Sequence, residues 1–308
     1  MAQETELIGY KPILDAIDLA LRSKYIRNEN PVSLLLLSQA ESGRTEAIKK
    51  FIRNDGIVMY RRFTAYGFQR DLIDGTVNLL FDKPKILPTI AIPDFNSLLN
   101  FKDETTSSTL EFINAVSEEG LSTESTYAIR PQKLRRFNGT RGNFIGAINT
   151  LGMFTYKRAV VKHVLYAGGF LSRPRIFSFD FSESVMHRIM DSLIHNEDQR
   201  KFVRDIPLKF PEKRVAISTG LKVNKELWGI SAEVVRNINK KLVHFDMKGI
   251  RDFKAIRTLA KCSAQRDGRK SVNMKDVKRI RFLSEWLNLE MNPLKTHYDF
   301  YEYCEGVD

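Results

Sequence analysis

The sequence predicts an α/β protein, with a parallel sheet flanked by helices followed by a smaller all-helical region, and three observations predict it. The run Val32-Ser33-Leu34-Leu35-Leu36-Leu37 is almost continuously apolar, as in a parallel strand covered on both faces. Strand-like and helical stretches then alternate as far as Phe181. After Ser182 only helical periodicity remains. These patterns place a core at residues 1–181, a helical lid at 182–291 and an aromatic, acidic tail at 292–308.

In chain order, Ile13, Leu14, Ile17 and Leu21 give one apolar face to a helix over Ile8–Tyr25. Pro31 introduces the first strand. Gly56–Tyr60 is a second strand, Leu72–Phe81 a helix stopped by Lys83-Pro84, and Ile86–Ile92 a third strand. Thr105–Glu118 is a helix with Leu110, Ile113 and Val116 inward, ended by Gly120. Leu121–Thr140 carries alternation and turn signals, which predict a β-hairpin with its turn at Asn138-Gly139. Asn143–Ile148 is a buried strand, Met153–Tyr166 a helix, and Ile176–Phe181 a last strand with clean alternation. Helices follow at 183–196, 231–245, 251–266 and 273–289, with Trp228 and Trp286 expected in their core.

The chain has 308 residues, 43% of them hydrophobic, enough to build a packed core. No apolar run is long enough to span a bilayer, and the polar, acidic Met1–Glu6 does not read as a signal peptide. Two cysteines, Cys262 and Cys304, stand in no metal spacing and are expected as reduced thiols in a cytoplasmic compartment. The five histidines form neither a metal spacing nor a triad. A net charge of +12 suits a polyanionic partner, with nucleic acid foremost.

Four constellations carry chemistry. Ser38-Gln39-Ala40-Glu41-Ser42-Gly43-Arg44-Thr45 follows the first strand and opens a helix, as a phosphate loop of the form G-x-x-x-x-G-K-[ST] does. Ser38 replaces the first glycine and Arg44 the lysine, while Gly43 and Thr45 match. Backbone N–H groups of such a loop surround phosphate. Ser42, Gly43, Arg44 and Thr45 are therefore the nucleotide-binding candidates, with Thr45 placed to offer its hydroxyl to Mg²⁺. A guanidinium is a planar fork where lysine is a point charge, so Arg44 keeps the charge and alters its placement. Asp94 ends the third strand, where a Mg²⁺-holding acid sits; without the loop it reads as a cap for a helix at Phe95–Leu99. Phe95 occupies the next position and cannot take a proton. Asn149 ends the Phe144–Ile148 strand at the sheet's carboxyl edge, where ligands bind in open α/β folds or where a turn residue is common. Arg173, in Gly169-Phe170-Leu171-Ser172-Arg173-Pro174-Arg175, is a candidate arginine finger toward a neighbouring subunit's γ-phosphate.

Taken in this order, these motifs resemble the AAA+ ATPases, in particular the branch of the minichromosome maintenance helicases and MoxR-type ATPases, over roughly residues 8–289. The resemblance implies ATP and Mg²⁺ as cofactors, ring assembly, and Asn149 as sensor 1. It implies Arg173 as the finger, though Pro174 stands where Phe is usual, and Arg251 as sensor 2, with Arg257 the second choice. Ser271–Val277 resembles the entry to the last lid helix, capped by Asn273 or Ser271. Ser38, Arg44 and Phe95 depart from the catalytic pattern, so the resemblance implies nucleotide binding with weak or lost hydrolysis. The alternatives are an inactive scaffold or DNA-binding partner and a MoxR-like protein-remodelling chaperone. Between the Asp94 and Asn149 strands, Arg130, Lys133, Arg135, Arg136 and Arg141 are interleaved with Tyr127 and Phe137, a pattern suited to DNA phosphates and bases. The basic run Arg266–Arg281 reads instead as the solvated side of an amphipathic helix.

Overall fold

The computed structural model describes residues 10–40, 42–121, 135–149, 165, 169–195, 205–241, 249–289 and 292–293. The predicted helix at 153–166 falls outside them, apart from Leu165. So do residues 122–134 of the predicted hairpin.

The core is a parallel sheet. Its strands are β1 (Leu34–Ser38), β2 (Ile57–Met59), β5 (Thr89–Ile92), β6 (Phe144–Asn149), β7 (Arg175–Asp180) and β8 (Asn292–Pro293), in the order β2-β5-β6-β1-β7-β8. A separate antiparallel pair joins β3 (Phe81–Asp82) to β4 (Lys85–Ile86). β1 is central and buried along its whole length, as its unbroken apolar run requires. It sets the register, with Leu34 beside Ile145 and Arg175, and Ser38 beside Asn149. At ~3.3 Å per residue, the two ends of β1 lie roughly 15 Å apart, so the sheet has well-separated amino and carboxyl edges.

Helices α1 (Lys11–Arg22), α2 (Arg44–Lys49), α3 (Ala65–Asp74), α4 (Asn96–Leu99) and α5 (Asp103–Asn114) accompany the strands. The helix expected at 72–81 is instead α3, which lies earlier. Thr64 caps it by accepting from Gly67 N at 3.1 Å, and Gly75, at φ 84°, ends it in the left-handed region. Beyond Gly75 the chain turns into the β3–β4 pair, so the strand expected at 86–92 is broken and begins again only at Thr89. The two ends of the predicted hairpin do meet: Leu121 N donates to Thr140 O at 2.9 Å and Gly139 N to Leu121 O at 2.8 Å.

The helical region comprises α6 (Glu183–His195), α7 (Leu221–Lys241), α8 (Ile250–Arg266) and α9 (Met274–Ser284). α7 starts ten residues before the helix read from the sequence at 231. Asn273 caps α9 in a full capping box with Asp276. Trp286 is fully buried and stacks on Phe177 of β7 at 6.0 Å, tying this region to the sheet. Trp228, expected in the core, is 48% exposed. Residues 205–218 are extended and return across the α/β core: Ile206 N donates to Lys50 O and Val215 N to Tyr25 O, each at 2.8 Å, and Phe210 stacks on Tyr25 at 4.8 Å.

Lys24 is buried among uncharged hydrogen-bond partners. Lys24 has no exposed surface, and its Nζ donates to Gly56 O at 2.6 Å and Thr89 Oγ1 at 2.8 Å. Thr89 donates on to Asn143 at 2.9 Å, and Asn143 donates to Ala20 O and Val32 O. Burial pushes the Lys24 ammonium down to about 7.

Candidate functional site

The carboxyl edge gathers the phosphate-loop candidates. β1 delivers Ser38 beside Asn149 at the end of β6, and β5 delivers Pro93 and Asp94 to the same edge. Gly43 adopts φ 67° and begins α2. The position needs glycine twice over, because a Cβ there would lie 1.7 Å from Tyr10 Oη. Tyr10 donates to Ser42 O at 2.8 Å and packs on Phe181 at 5.5 Å, so it clamps the loop from outside. Burial, then Glu46, pushes the Tyr10 phenol up. No sequence signal marks Tyr10, since only the fold brings position 10 to position 43.

Arg44 folds back into the loop. Its guanidinium donates to Ser38 O at 3.2 Å, Ser38 Oγ at 3.1 Å, Ser42 Oγ at 3.3 Å and the carbonyl of Gln39. Ser38 and Ser42 hydroxyls are hydrogen-bonded to each other. Thr45 Oγ1 donates to Pro93 O at 3.0 Å. Desolvation lowers the Arg44 pKa, and Asp94 opposes the shift, which places the carboxylate within electrostatic reach of the guanidinium. Asp94 is exposed and its side chain accepts from Asn96 at 3.3 Å. It does not cap α4, which begins with Phe95 at the N-cap and no side-chain bond there. Phe95 is fully buried, packed between Phe144 at 5.9 Å and Phe170 at 5.5 Å.

The donors suit a Mg²⁺-nucleotide in kind: a glycine at positive φ, a cation, a hydroxyl and a carboxylate at one edge of a parallel sheet. Their present arrangement is closed. As placed, Arg44 offers its donors to the loop itself and Thr45 its proton to Pro93 O. Among the described residues no group of three or more His, Cys, Asp or Glu side chains gathers to hold a metal.

Arg173 and Arg251 lie at the opposite, amino edge. Glu118, on the π-helical turn Ala115–Glu119, holds both: Oε1 meets Arg251 Nε at 2.9 Å and Oε2 meets Arg173 Nε at 3.6 Å. Arg251 also donates to Ser172 Oγ at 3.1 Å. Arg257 pairs with Glu29 at 3.0 Å. Beneath them Arg175 and Asp252, both buried, form an ion pair joining β7 to α8, and desolvation lowers Arg175 to about 10. Sequence reasoning missed this pair and Glu118, because neither partner is near the other in the chain.

Of the basic segment, Arg130 and Lys133 lie outside the described residues, as does the side chain of Arg135. Arg136 donates to Ile73 O at 2.7 Å and lies over Phe137 at 4.7 Å, so it satisfies carbonyls at the end of α3. Arg141 donates to Asn30 Oδ1 at 2.5 Å at the amino edge.

Neither a protein-family model nor a curated protein sequence matches the chain. Among solved structures, a full-length MCM homolog from Methanopyrus kandleri is similar at 15% identity and a TM-score of 0.46. The similarity covers 91% of this chain and 55% of that one, so the chain spans about half the length of that protein.

Proposed function

We propose that the chain is an AAA+-type nucleotide-binding module that assembles as a ring, acts on DNA, and hydrolyses ATP weakly or not at all. The observation that carries this reading is the division of the candidates between two edges. Ser42, Gly43, Arg44, Thr45, Asp94 and Asn149 sit at the carboxyl edge, and Arg173 and Arg251 at the amino edge. In a ring of like subunits, one chain's carboxyl edge can face its neighbour's amino edge, so nucleotide held by the first meets arginines of the second. Residues 182–291 would form the lid, and Thr45 and Asp94 would hold Mg²⁺ once the loop opens. Basic residues of the 127–141 segment would meet DNA phosphates.

The closed loop and buried Phe95 favour weak turnover. No carboxylate follows Asp94 to polarise water, and Arg44 is engaged with its own loop. A second reading, an AAA+ scaffold without turnover, draws on the same two facts. A fluorescent ATP analogue with Mg²⁺ tests the shared claim: saturable binding supports it, and no binding at millimolar nucleotide sinks it. Steady-state hydrolysis with and without DNA then separates the readings, because turnover abolished by Asp94→Ala rejects the scaffold. A MoxR-like chaperone would leave both assembly and activity indifferent to DNA.

A further inference from the structure

Trp228 on α7 is 48% exposed, while the protein's other tryptophan, Trp286, is fully buried. An indole left half in water forfeits much of the largest apolar burial any side chain offers, so its placement calls for a reason. The ring is not loose. It stands edge-on to Phe253 of α8, with centroids 5.4 Å apart and planes at 72°. Arg257 lies over that Phe253 ring at 5.6 Å. Ile250, one turn before Phe253, is 59% exposed, and beside the indole Gly229 leaves open space, since a Cβ there meets nothing within 4 Å.

Cations surround this aromatic pair. Lys225, one turn before Trp228, and Lys254, next to Phe253, are both exposed, and Arg251 is half exposed. The α7 carboxylates Glu226 and Glu233 are drawn toward Arg281 of α9. Arg251, Lys254 and Arg257 continue into a cavity of about 480 Å³ at the amino edge, where six cations face three carboxylates. The excess of positive charge disfavours an apolar protein surface here, whereas a polyanion with flat bases meets both the exposed ring and the exposed Lys225 and Lys254.

We propose that the surface from Trp228 across Phe253 to Lys254 binds single-stranded nucleic acid, with a base stacked on Trp228 and phosphates on Lys225 and Lys254. This site is separate from the 127–141 segment and requires no nucleotide. Because Trp286 is buried, quenchable tryptophan fluorescence reports Trp228.

The test is titration of the nucleotide-free protein with an oligothymidylate of about 15 nucleotides, the span of one such platform. Tryptophan fluorescence and the anisotropy of a labelled oligomer are followed together. Saturable quenching that tracks the anisotropy is expected, with little from a duplex of equal length. Trp228→Leu should weaken anisotropy-detected binding roughly 5- to 100-fold, the range for loss of one stacked base. The double variant Lys225→Ala/Lys254→Ala should lower the slope of log affinity against log salt by about 1.4, at ~0.7 per lost phosphate contact. All three side chains are exposed, and circular dichroism checks the fold. Oligomer binding with no quenching and no response to Trp228→Leu overturns the proposal and points to another surface, such as the 127–141 segment. Absence of binding overturns it too, as does fluorescence that changes with protein concentration alone, which makes the surface a self-contact. None of these outcomes depends on the ATP-analogue titration, so the two readings fail separately.

Discussion

Lys24 makes folding stability depend on pH in a direction opposite to that of a paired lysine. Its folded pKa is about 7, against about 10.4 in an unfolded chain. Between these values the unfolded state binds more protons than the folded one, so the contribution to stability rises with pH and is smallest below the folded value. The slope approaches 1.4 kcal/mol per pH unit in the middle of the window, which gives a gain of about 2 kcal/mol from roughly pH 7 to pH 9. Tyrosines and other groups titrate over part of this range, so the informative quantity is a difference. Lys24→Met keeps the length of the side chain and removes the titration. Urea denaturation of both proteins at several pH values gives the two stability profiles, and their difference should grow by about 2 kcal/mol in favour of the parent protein as pH rises. Parallel profiles would refute the reasoning, since they would mean that the ammonium is as well solvated inside as in the unfolded chain.

Gly43→Ala combines a left-handed backbone with a clash against Tyr10 and should cost about 3 kcal/mol in chemical denaturation, several times the loss from Tyr10→Phe, which removes only a bond of about 1 kcal/mol. Asp252→Ala leaves Arg175 buried and unpaired and should lower stability by roughly 3–5 kcal/mol, whereas Arg175→Met with Asp252→Leu should recover most of that in a thermal melt. Arg44→Lys gives up the planar fork that ties the loop to its own carbonyls, so affinity for a Mg²⁺-ATP analogue should rise about ten-fold, equivalent to ~1.4 kcal/mol; unchanged affinity would mean that the loop is not held shut by Arg44.

The strands at the centre of the sheet were legible because burial on both faces writes itself as an unbroken apolar run, as in Leu34–Leu37, or as a short buried run ending at a polar residue, as in Phe144–Asn149. The cap at Asn273 was legible because capping is local. The error at 72–81 was also local in origin: Leu72 belongs to a helix, but Gly75 at positive φ ends it before the apolar residues that extend the pattern in the sequence. Trp228 was misplaced because composition treats tryptophan as core, and only three-dimensional packing leaves its ring outside. At the candidate site the sequence supplied the residues of the loop but not its conformation. Tyr10 on Gly43, Arg44 on Ser38 and Glu118 between two arginines are contacts across long or irregular stretches, with no periodicity to announce them.

Phe95 has a consequence for what this chain could become. Its ring fills a slot between Phe144 and Phe170, and a Cβ added at Gly146 would already crowd it at 3.1 Å. A carboxylate placed there would enter a wall of aromatic rings with no donor waiting for it, at a cost of several kcal/mol, or would stay protonated and useless as a base. Placing a proton acceptor after Asp94 therefore takes more than one substitution: the neighbouring rings must shrink and the backbone after Pro93 must turn outward at the same time.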